Sequence, residues 1–250
     1  MSDEARGSKQ EKRKKPSGPI QRVGVVIGAF GGSDWLRECI KSVLAQQLPA
    51  RTKMEIVVAC HTHSLVVFEA AKEFEGDVSG FMPSNWLPTG QVLAHAVSEL
   101  PPVDLVVFVD GADRIRPGHV ASILSSRKQG EHCAYLPVRE TGPDSDPQAA
   151  PARGAAFDIK AYHRAGGHRE MYAYAEEELL CRAIARGVVV KELDGAPTYV
   201  ARDHSSTPEE KIKEQFPRRF TQDRKVFASM QRGSEVAVGT RPELAVYKRF

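Results

Sequence analysis

The chain has 250 residues, of which 41% are hydrophobic and 27% charged, a composition typical of a soluble globular protein with a sizeable core. The net charge of +3 is unevenly distributed, because residues 20–207 hold 19 Lys or Arg against 23 Asp or Glu, while both ends are basic. Proteins whose main body binds nucleic acid usually have a basic body, so this pattern argues against that class. The sequence has no apolar run of about 18 residues and no apolar stretch behind its N-terminal charges, so we expect neither a transmembrane helix nor a secretory signal.

The four cysteines are far apart, form no Cys-x-x-Cys pair and stand among apolar neighbours. This pattern predicts buried, reduced thiols in a cytoplasmic protein and disfavours a zinc site. The cysteines are Cys39, Cys60, Cys133 and Cys181.

The two ends of the chain differ in composition from the middle. Residues 1–19 hold six Lys or Arg against three Asp or Glu and almost nothing apolar, which predicts a disordered basic tail. Such a tail is either a solubilising linker or an electrostatic tether to an acidic surface, such as nucleic acid or anionic lipid. We expect one domain over residues 20–207, with a C-terminal helix and tail over residues 208–250 packing on it.

The first half of the chain alternates short apolar runs with amphipathic segments, beginning with RVGVVIGAF at residues 22–30. Short runs rich in Val and Ile are typical of buried parallel strands. Ser33 or Asp34 can cap the first helix, and Pro49 closes it. Strands are predicted at residues 22–30, 54–60, 78–82 and 104–110, and helices at residues 33–48, 64–75, 90–99 and 117–128.

This alternation indicates a Rossmann-like α/β/α sandwich with a largely parallel central sheet. In such sheets, ligands bind beyond the carboxyl ends of the strands. We therefore expect the loops after Phe30, Cys60 and Asp110 to share one rim.

The second half of the chain begins with a segment rich in Pro, Asp and Ala, residues 140–153, which predicts a long mobile loop. Order is predicted to resume at residues 154–165, and residues 176–187 form a helix that ends at Gly187. VVVKEL predicts another strand, and residues 208–231 predict a last helix followed by a tail.

Asp110 and Asp113 provide the strongest local signal, in the sequence FVDGADRIRPGHV. Two carboxylates at a strand end are well placed to hold Mg²⁺ or Mn²⁺ against a diphosphate. An Asp-Gly turn followed by a helix cap explains the same composition without any ligand.

Two further signals lie downstream. Glu176, Glu177 and Glu178 open a helix, where acidic residues suit the helix dipole, but one of them is also a candidate general base for an acceptor hydroxyl. His204 is either a structural or exposed histidine or a further ligand for a metal held by Asp110 and Asp113.

These segments occur in the order found in family 2 glycosyltransferases of the GT-A fold, which the chain resembles over about residues 22–205. RVGVVIGAFGGSDWLRECIKSVLAQ resembles the opening strand and helix, which typically ends Ser-Val-Leu-x-Gln. LVVFVDGADRIRPGHV resembles the strand with the DxD metal motif, and GAAFDIKAYHRAGG the segment before the acceptor site. EEELLCRAIARG resembles the helix that carries the catalytic carboxylate, with Leu179, Arg182 and Gly187 at the family's spacing.

The resemblance implies transfer of a sugar from a nucleotide-sugar, most often a UDP-sugar, to an acceptor hydroxyl, with inversion and with Mn²⁺ or Mg²⁺. Asp110 would face the nucleotide ribose or the metal, and Asp113 and His204 would hold the metal. Glu176 aligns with the catalytic base and Glu178 with the acidic residue two places on. The positions that align with the family's nucleotide-binding residues are Gly28, Ala29, Phe30, Cys60, His95 and Asp110.

The sequence departs from the family pattern at the nucleotide site. Ala112 stands where the Asp that most directly binds metal is usual, and Cys60 stands where an Asp often contacts uracil. Gly28-Ala29-Phe30-Gly31 replaces the usual Pro-Thr-Tyr-Asn, and Ala94-His95 replaces an Arg-Asn pair. These departures favour an unusual donor or altered metal use.

Two alternatives remain open. One is a catalytically degenerate GT-A-like module that binds or acts as a scaffold. The other is a nucleotidyltransferase, although the glycines at residues 28–32 have no adjacent Lys or Arg to hold phosphates. The basic tail suggests an acidic acceptor or partner, such as nucleic acid.

Overall fold

A computed structural model describes residues 21–30, 32–61, 65–128, 130–140, 152–202, 213–214, 216–231 and 247–249. The predicted tail at residues 1–19, most of the predicted loop at residues 140–153, and His204 lie outside the described residues.

The elements alternate through most of the chain, as the sequence predicts. The strands are β1 (Gln21–Ala29), β2 (Thr52–Cys60), β3 (Ser79–Pro83), β4 (Leu105–Asp110), β5 (Arg114–Ile115), β6 (Cys133–Leu136), β7 (Arg139–Glu140), β8 (Ala156–Asp158), β9 (Val189–Glu192), β10 (Tyr199–Val200) and β11 (Tyr247–Arg249). The helices are α1 (Ser33–Leu44), α2 (Leu65–Lys72), α3 (Thr89–Glu99), α4 (His119–Ser126), α5 (Ile159–Ala165), α6 (Ala175–Ala185) and α7 (Pro217–Gln231).

The central sheet has eight strands in the order β11-β3-β2-β1-β4-β8-β6-β9. Strands β3, β2, β1 and β4 run parallel, β8 runs antiparallel to β4 and β6, and β9 runs parallel to β6. The strand β11 pairs antiparallel with β3 at one edge. A small second sheet has the order β5-β10-β7.

Helices cover both faces of the sheet, because the inner strands are apolar on both sides. Val25 and Ile27 of β1 pack in one buried cluster with α1, α2 and α4. Val26, which points the other way, packs in a second cluster with α3, α5 and α6. The α/β/α sandwich predicted from the sequence is therefore confirmed.

Some elements differ from the prediction. The first helix ends at Leu44 rather than residue 48, since the N–H of Gln47 turns away to bond the carbonyl of Pro117 at 2.8 Å. Strand β6 and the small sheet are absent from the sequence prediction because their strands are only two to four residues long. Residues 247–249, predicted as tail, form β11.

All four thiols are free, and the predicted burial is confirmed for three of them. Cys39, Cys60 and Cys133 are buried and Cys181 is half-buried. Burial raises the pKa of the Cys60 thiol to about 12. Among the helices of the described residues, none is long and apolar enough to span a membrane.

Candidate active site

The carboxyl ends of three parallel strands meet at one rim, as the sequence predicts. Gly28 is in register with Asp110, and Ala29 with Cys60. The N–H of Gly111 donates to the carbonyl of Gly28 at 2.8 Å, and a Cβ at Gly111 would lie 3.0 Å from that same oxygen. Glycine therefore favours this close approach of the two backbones, which brings the turn after β4 against the end of β1.

Asp110 and Asp113 lie in that turn, but in different environments. The Asp110 side chain is 17% exposed, and its Oδ1 accepts the N–H of Ala112 at 2.8 Å. Asp113 is fully buried, where the Tyr199 hydroxyl donates to its Oδ2 at 2.7 Å and the N–H of Arg202 donates to its Oδ1 at 2.8 Å. Burial and, after it, the charge of Asp110 raise the pKa of Asp113 to about 6.

Arg153 joins the two carboxylates. Its Nη2 donates to Asp113 Oδ1 at 2.9 Å and to Asp110 Oδ2 at 3.3 Å, and its Nε lies 2.7 Å from Asp113 Oδ2. Burial lowers the pKa of Arg153, but the charges of Asp110 and Asp113 more than offset this and hold it above its ordinary value. The guanidinium is therefore permanently charged, and it is held by both aspartates.

This donor set does not fit a divalent cation. A carboxylate offers about four acceptor positions, and Asp113 accepts hydrogen bonds from Arg153 Nη2, the Tyr199 hydroxyl and the N–H of Arg202, with Arg153 Nε 2.7 Å from its Oδ2. Mg²⁺ and Mn²⁺ prefer several oxygen ligands, and of the two aspartates Asp110 alone retains an accessible carboxylate. Within the described ranges, no group of three His, Cys, Asp or Glu side chains could hold a metal. The metal-ligand prediction for Asp113 does not agree with this geometry, and that for His204 lies outside the described residues.

The Ser-Val-Leu-x-Gln motif supports the backbone that follows Asp113. The Ser42 hydroxyl accepts the N–H of Ile115 at 3.1 Å. The Gln46 amide accepts the N–H of Val120 at 3.0 Å and donates to the carbonyl of Arg116 at 2.8 Å. These bonds attach α1 and the turn after it to residues 115–120, which lead from the aspartates into α4. The motif therefore positions the rim rather than contacting a ligand.

Glu176 lies in the first turn of α6 and is partly exposed. Its charge adds to those that raise the pKa of Arg153, behind Asp110, Asp113 and Tyr199, so Glu176 lies within electrostatic range of Arg153. Arg153 therefore connects the turn after β4 with the start of α6.

The loop before Glu176 is held from two sides. On one side, the Thr89 hydroxyl at the start of α3 donates to the carbonyl of Tyr172 at 2.7 Å. On the other, Asp223 of α7 accepts the N–H groups of Tyr172 at 2.7 Å and Ala173 at 3.1 Å. Tyr174 has a φ of 59°, which is rare for a residue other than glycine, and its ring stacks on Phe227 at 5.2 Å. A strained residue two positions before Glu176 agrees with a functional loop.

Glu178 occupies a different environment from Glu176. It is fully buried, and Arg182 donates to its two carboxylate oxygens at 2.8 and 2.6 Å. Arg182 is also fully buried and donates further to the carbonyls of Ala165 and Gly167. Glu178 therefore neutralises a buried arginine that joins α6 to the end of α5, and we correct its predicted role from site residue to structural ion pair.

The predicted nucleotide-binding residues are only partly at the rim. Phe30 is there, and Gly28 allows it to fold back, since a Cβ at Gly28 would lie 2.6 Å from its ring. Cys60 is fully buried below the rim. His95 is six residues into α3, roughly 9 Å along the helix, where it packs edge-on against Phe81 at 4.7 Å. The prediction for His95 therefore does not fit the rim.

A row of aromatic rings at the rim was not predicted from the sequence. The ring centroid of His61 lies 4.7 Å from that of Phe30 and 5.1 Å from that of Trp86. The ring centroid of Phe216 lies 5.4 Å from that of Trp86 and 5.3 Å from that of Tyr172. Burial lowers the pKa of His61 to about 3, so its ring is neutral at physiological pH. His61 directly follows β2 and Trp86 closely follows β3, so the rule that ligands bind at strand ends could have identified both.

A side chain at Gly154, which lies at this site, should lower the folding stability. The φ of Gly154 is +79°, and a Cβ there would lie 2.6 Å from the buried Tyr199 ring that bonds Asp113. We expect Gly154→Ala to destabilise the protein by about 2–4 kcal/mol, because backbone strain and overpacking add. Gly187 is the control, since its φ is +72° but nothing lies within 4 Å of its Cβ position, so Gly187→Ala costs only about 1–2 kcal/mol. Urea unfolding measures both, and equal losses would show that the Tyr199 contact contributes nothing.

The strand order, the three layers and the strand-end acidic turn define the fold as that of the GT-A glycosyltransferases. S. aureus TarS 1–349 in complex with UDP-GlcNAc is similar, with a TM-score of 0.68 and 11% identity, over 87% of this chain and 68% of that one. The same protein in complex with UDP gives a TM-score of 0.61 and 12% identity, over 77% of this chain and 63% of that one. The mannosyltransferase PcManGT from Pyrobaculum calidifontis, in complex with GDP-Man and Mn²⁺, gives a TM-score of 0.62 and 14% identity, over 90% of this chain and 69% of that one.

The likeness to these structures shows the fold. This chain spans less than two thirds of the TarS chain in the UDP complex. A scan against protein-family models found no match. A search of curated proteins also found no match.

Proposed function

We propose that this chain transfers a sugar from a nucleotide-sugar donor to a hydroxyl group of an acceptor, as a divergent family 2 glycosyltransferase. The observation that carries the proposal is that Arg153 contacts Asp110 and lies within electrostatic range of Glu176 at the carboxyl rim of a GT-A fold. The structural neighbours in complex with UDP-GlcNAc and GDP-Man support a nucleotide-sugar as the donor class. The order of the sequence motifs supports a UDP-sugar.

The chemistry that these residues offer is one direct displacement. Glu176 accepts the proton of the acceptor hydroxyl while that oxygen attacks the anomeric carbon. The bond from the anomeric carbon to the diphosphate oxygen breaks, and the electron pair leaves with the nucleoside diphosphate. Because attack and departure occur on opposite faces, the configuration at the anomeric carbon inverts. The bonds from α3 and α7 that hold the loop before Glu176 support this role.

The aromatic row supports binding of the nucleobase. Phe30 and Trp86 follow the ends of β1 and β3, are partly exposed and contact the buried ring of His61, and aromatic faces stack on a base whatever its hydrogen-bonding pattern. His61 is neutral and stands beside the position where the family often has an Asp for uracil. We therefore expect recognition of the base to depend more on stacking than on a charged contact.

The metal requirement that the resemblance implies is not part of this proposal. Although PcManGT was solved with Mn²⁺, the described residues of this chain do not fit such an ion. The proposed acceptor is a hydroxyl-bearing molecule. A nucleic-acid acceptor is supported only by the basic composition of residues 1–19.

Donor binding and turnover test the proposal together. The full chain is titrated with UDP-GlcNAc, UDP-glucose and GDP-mannose in a thermal-shift assay, with ATP as a nucleotide control that carries no sugar. A donor should raise the melting temperature by mass action, and ATP should not. Slow release of nucleoside diphosphate from that donor, with water as acceptor, would show that the sugar bond is cleaved. No shift with any nucleotide-sugar would overturn the proposal.

A non-catalytic binding module is the second candidate, and one observation favours it. Ala112, in place of an Asp, is buried, and Asp113 is engaged within the protein. Donor binding without any release of nucleoside diphosphate would support this alternative. Release of pyrophosphate from a nucleoside triphosphate would instead indicate a nucleotidyltransferase.

A further inference from the structure

Arg153 occupies the position between the two strand-end carboxylates where a shared cation would bind. Its Nη2 is 3.3 Å from Asp110 Oδ2 and 2.9 Å from Asp113 Oδ1. Because the guanidinium is fixed by these contacts, no rearrangement is needed to present its charge to a ligand. We propose that Arg153 replaces a divalent metal, so that the leaving diphosphate meets a guanidinium and the donor binds without Mg²⁺ or Mn²⁺.

The guanidinium retains donors for a phosphate. Arg has five N–H groups, of which Nη2 donates to both aspartates, while Nε lies 2.7 Å from Asp113 Oδ2 without the alignment of a hydrogen bond. Within the part of the chain that the structure describes, both hydrogens of Nη1 are left without an acceptor, and the side chain is 19% exposed. Two N–H groups on one charged nitrogen can bond non-bridging oxygens of a diphosphate, which are strong charge-assisted contacts.

The surroundings stabilise this arrangement. The neighbouring residue Gly154 packs its backbone against the ring of Tyr199, whose hydroxyl donates to Asp113. Arg139 is a second positive charge close enough to perturb Arg153. Burial and, to a smaller extent, the charge of Arg153 lower the pKa of Arg139. Asp113 therefore lies within electrostatic range of two guanidinium groups, which disfavours a metal cation beside it.

The proposed step needs no added reactant. As the bond between the anomeric carbon and the diphosphate oxygen breaks, its electron pair moves to the diphosphate. Arg153 stabilises that negative charge through its N–H groups and keeps its protons. The diphosphate contact of Arg153 rests on the proposed function. The prediction that the protein binds no Mn²⁺ is independent of that function.

The first test measures Mn²⁺ binding to the chelator-treated full chain, which includes His204. Free Mn²⁺ is followed by its electron paramagnetic resonance signal as protein is added. We expect no saturable loss of the signal. Isothermal titration with UDP and with GDP then gives the same dissociation constant in EDTA and in Mn²⁺. Saturable binding of Mn²⁺ alone, or nucleotide binding that requires Mn²⁺, would overturn the proposal.

The second test removes the guanidinium. Arg153→Ala leaves Asp110 and Asp113 as an unneutralised pair, so we expect this variant to bind Mn²⁺ and to gain melting temperature when Mn²⁺ is added. In EDTA its affinity for UDP or GDP should fall by about 10- to 100-fold, and Mn²⁺ should restore part of the loss. An unchanged nucleotide affinity in EDTA would contradict a role for Arg153 at the diphosphate.

Arg127→Ala is the matched control. Arg127 donates to the buried carboxylate of Asp158 at 2.7 Å, at the opposite end of β4 from Asp110. Removing it also leaves a buried carboxylate without its arginine, but a single one, so no Mn²⁺ site should appear.

If Arg153→Ala does not fold, Arg153→Lys takes its place, because lysine keeps the positive charge but lacks the planar guanidinium. The measurements on the wild-type protein still decide the proposal. If neither nucleotide binds under any condition, the proposed donor class fails while the Mn²⁺ titration still reports on Arg153.

Discussion

Glu176→Gln should lower the rate of sugar transfer, or of donor hydrolysis, by about 10²- to 10⁴-fold, which is the usual contribution of a positioned general base. Glutamine has the same size and keeps one acceptor oxygen, but it cannot take the proton from the acceptor hydroxyl. The loss should therefore appear in kcat, while the affinity for the donor stays close to that of the wild type. Initial rates of nucleoside diphosphate release, with donor affinity measured separately, distinguish the two parameters.

Glu177→Gln provides the control for Glu176, since it makes the same change at the next position of α6. Glu177 acts electrostatically on Arg139, whereas Glu176 acts on Arg153 beside the aspartates, so the loss of Glu177 should change the rate far less. Equal effects of the two substitutions would indicate that the acidic helix start, rather than one residue, matters. An active Glu176→Gln variant would remove Glu176 from the mechanism.

The strands β1, β2 and β4 could be predicted because local preference and burial agree in their sequences. VGVVIGA, IVVAC and LVVFV are continuous apolar runs, which a sheet covered on both faces can bury. The short strands β5, β7 and β10 have no such run. Their positions depend on pairing between residues 114–115, 139–140 and 199–200, which no local pattern indicates.

The positions of Asp110 and Glu176 were predictable for a related reason. A strand end and a helix start are visible in the sequence, and the parallel topology places strand ends on one rim. Arg153 was not predictable, because it stands in a Pro- and Ala-rich segment without periodicity. Its role comes from contacts with Asp110 and Asp113, about 40 positions away in the chain.

Glu178 illustrates why sequence patterns alone misassign acidic residues. It is one of three consecutive glutamates, and a helix start explains all three equally well. The helix rotates each residue by about 100°, so that Glu176 and Glu177 face outward while Glu178 faces the core. The arginine four residues on indicates the pairing only in retrospect, since Arg182 sits on the same face as Glu178.

Arg182→Ala should cost about 3–5 kcal/mol of folding free energy, because it leaves the buried carboxylate of Glu178 without its main partner. Arg182 and Glu178 are both fully buried, and the guanidinium also bonds the carbonyls of Ala165 and Gly167. Arg169, whose Nη1 is 3.6 Å from Glu178, is too distant to replace these bonds. Unfolding by urea or heat, followed by circular dichroism, measures the loss.

We expect the unpaired charge of Glu178, rather than the lost packing of Arg182, to cause the larger part of this loss of stability. If so, the double variant Arg182→Met with Glu178→Leu should recover much of the stability, because neither charge remains buried. Arg186→Ala is the control at the C-terminal end of the same helix, since this arginine is exposed and bonds carbonyls at the end of α5, and it should cost about 1 kcal/mol or less. A double variant as unstable as Arg182→Ala would mean instead that the bonds to Ala165 and Gly167, which join α5 to α6, carry the stability.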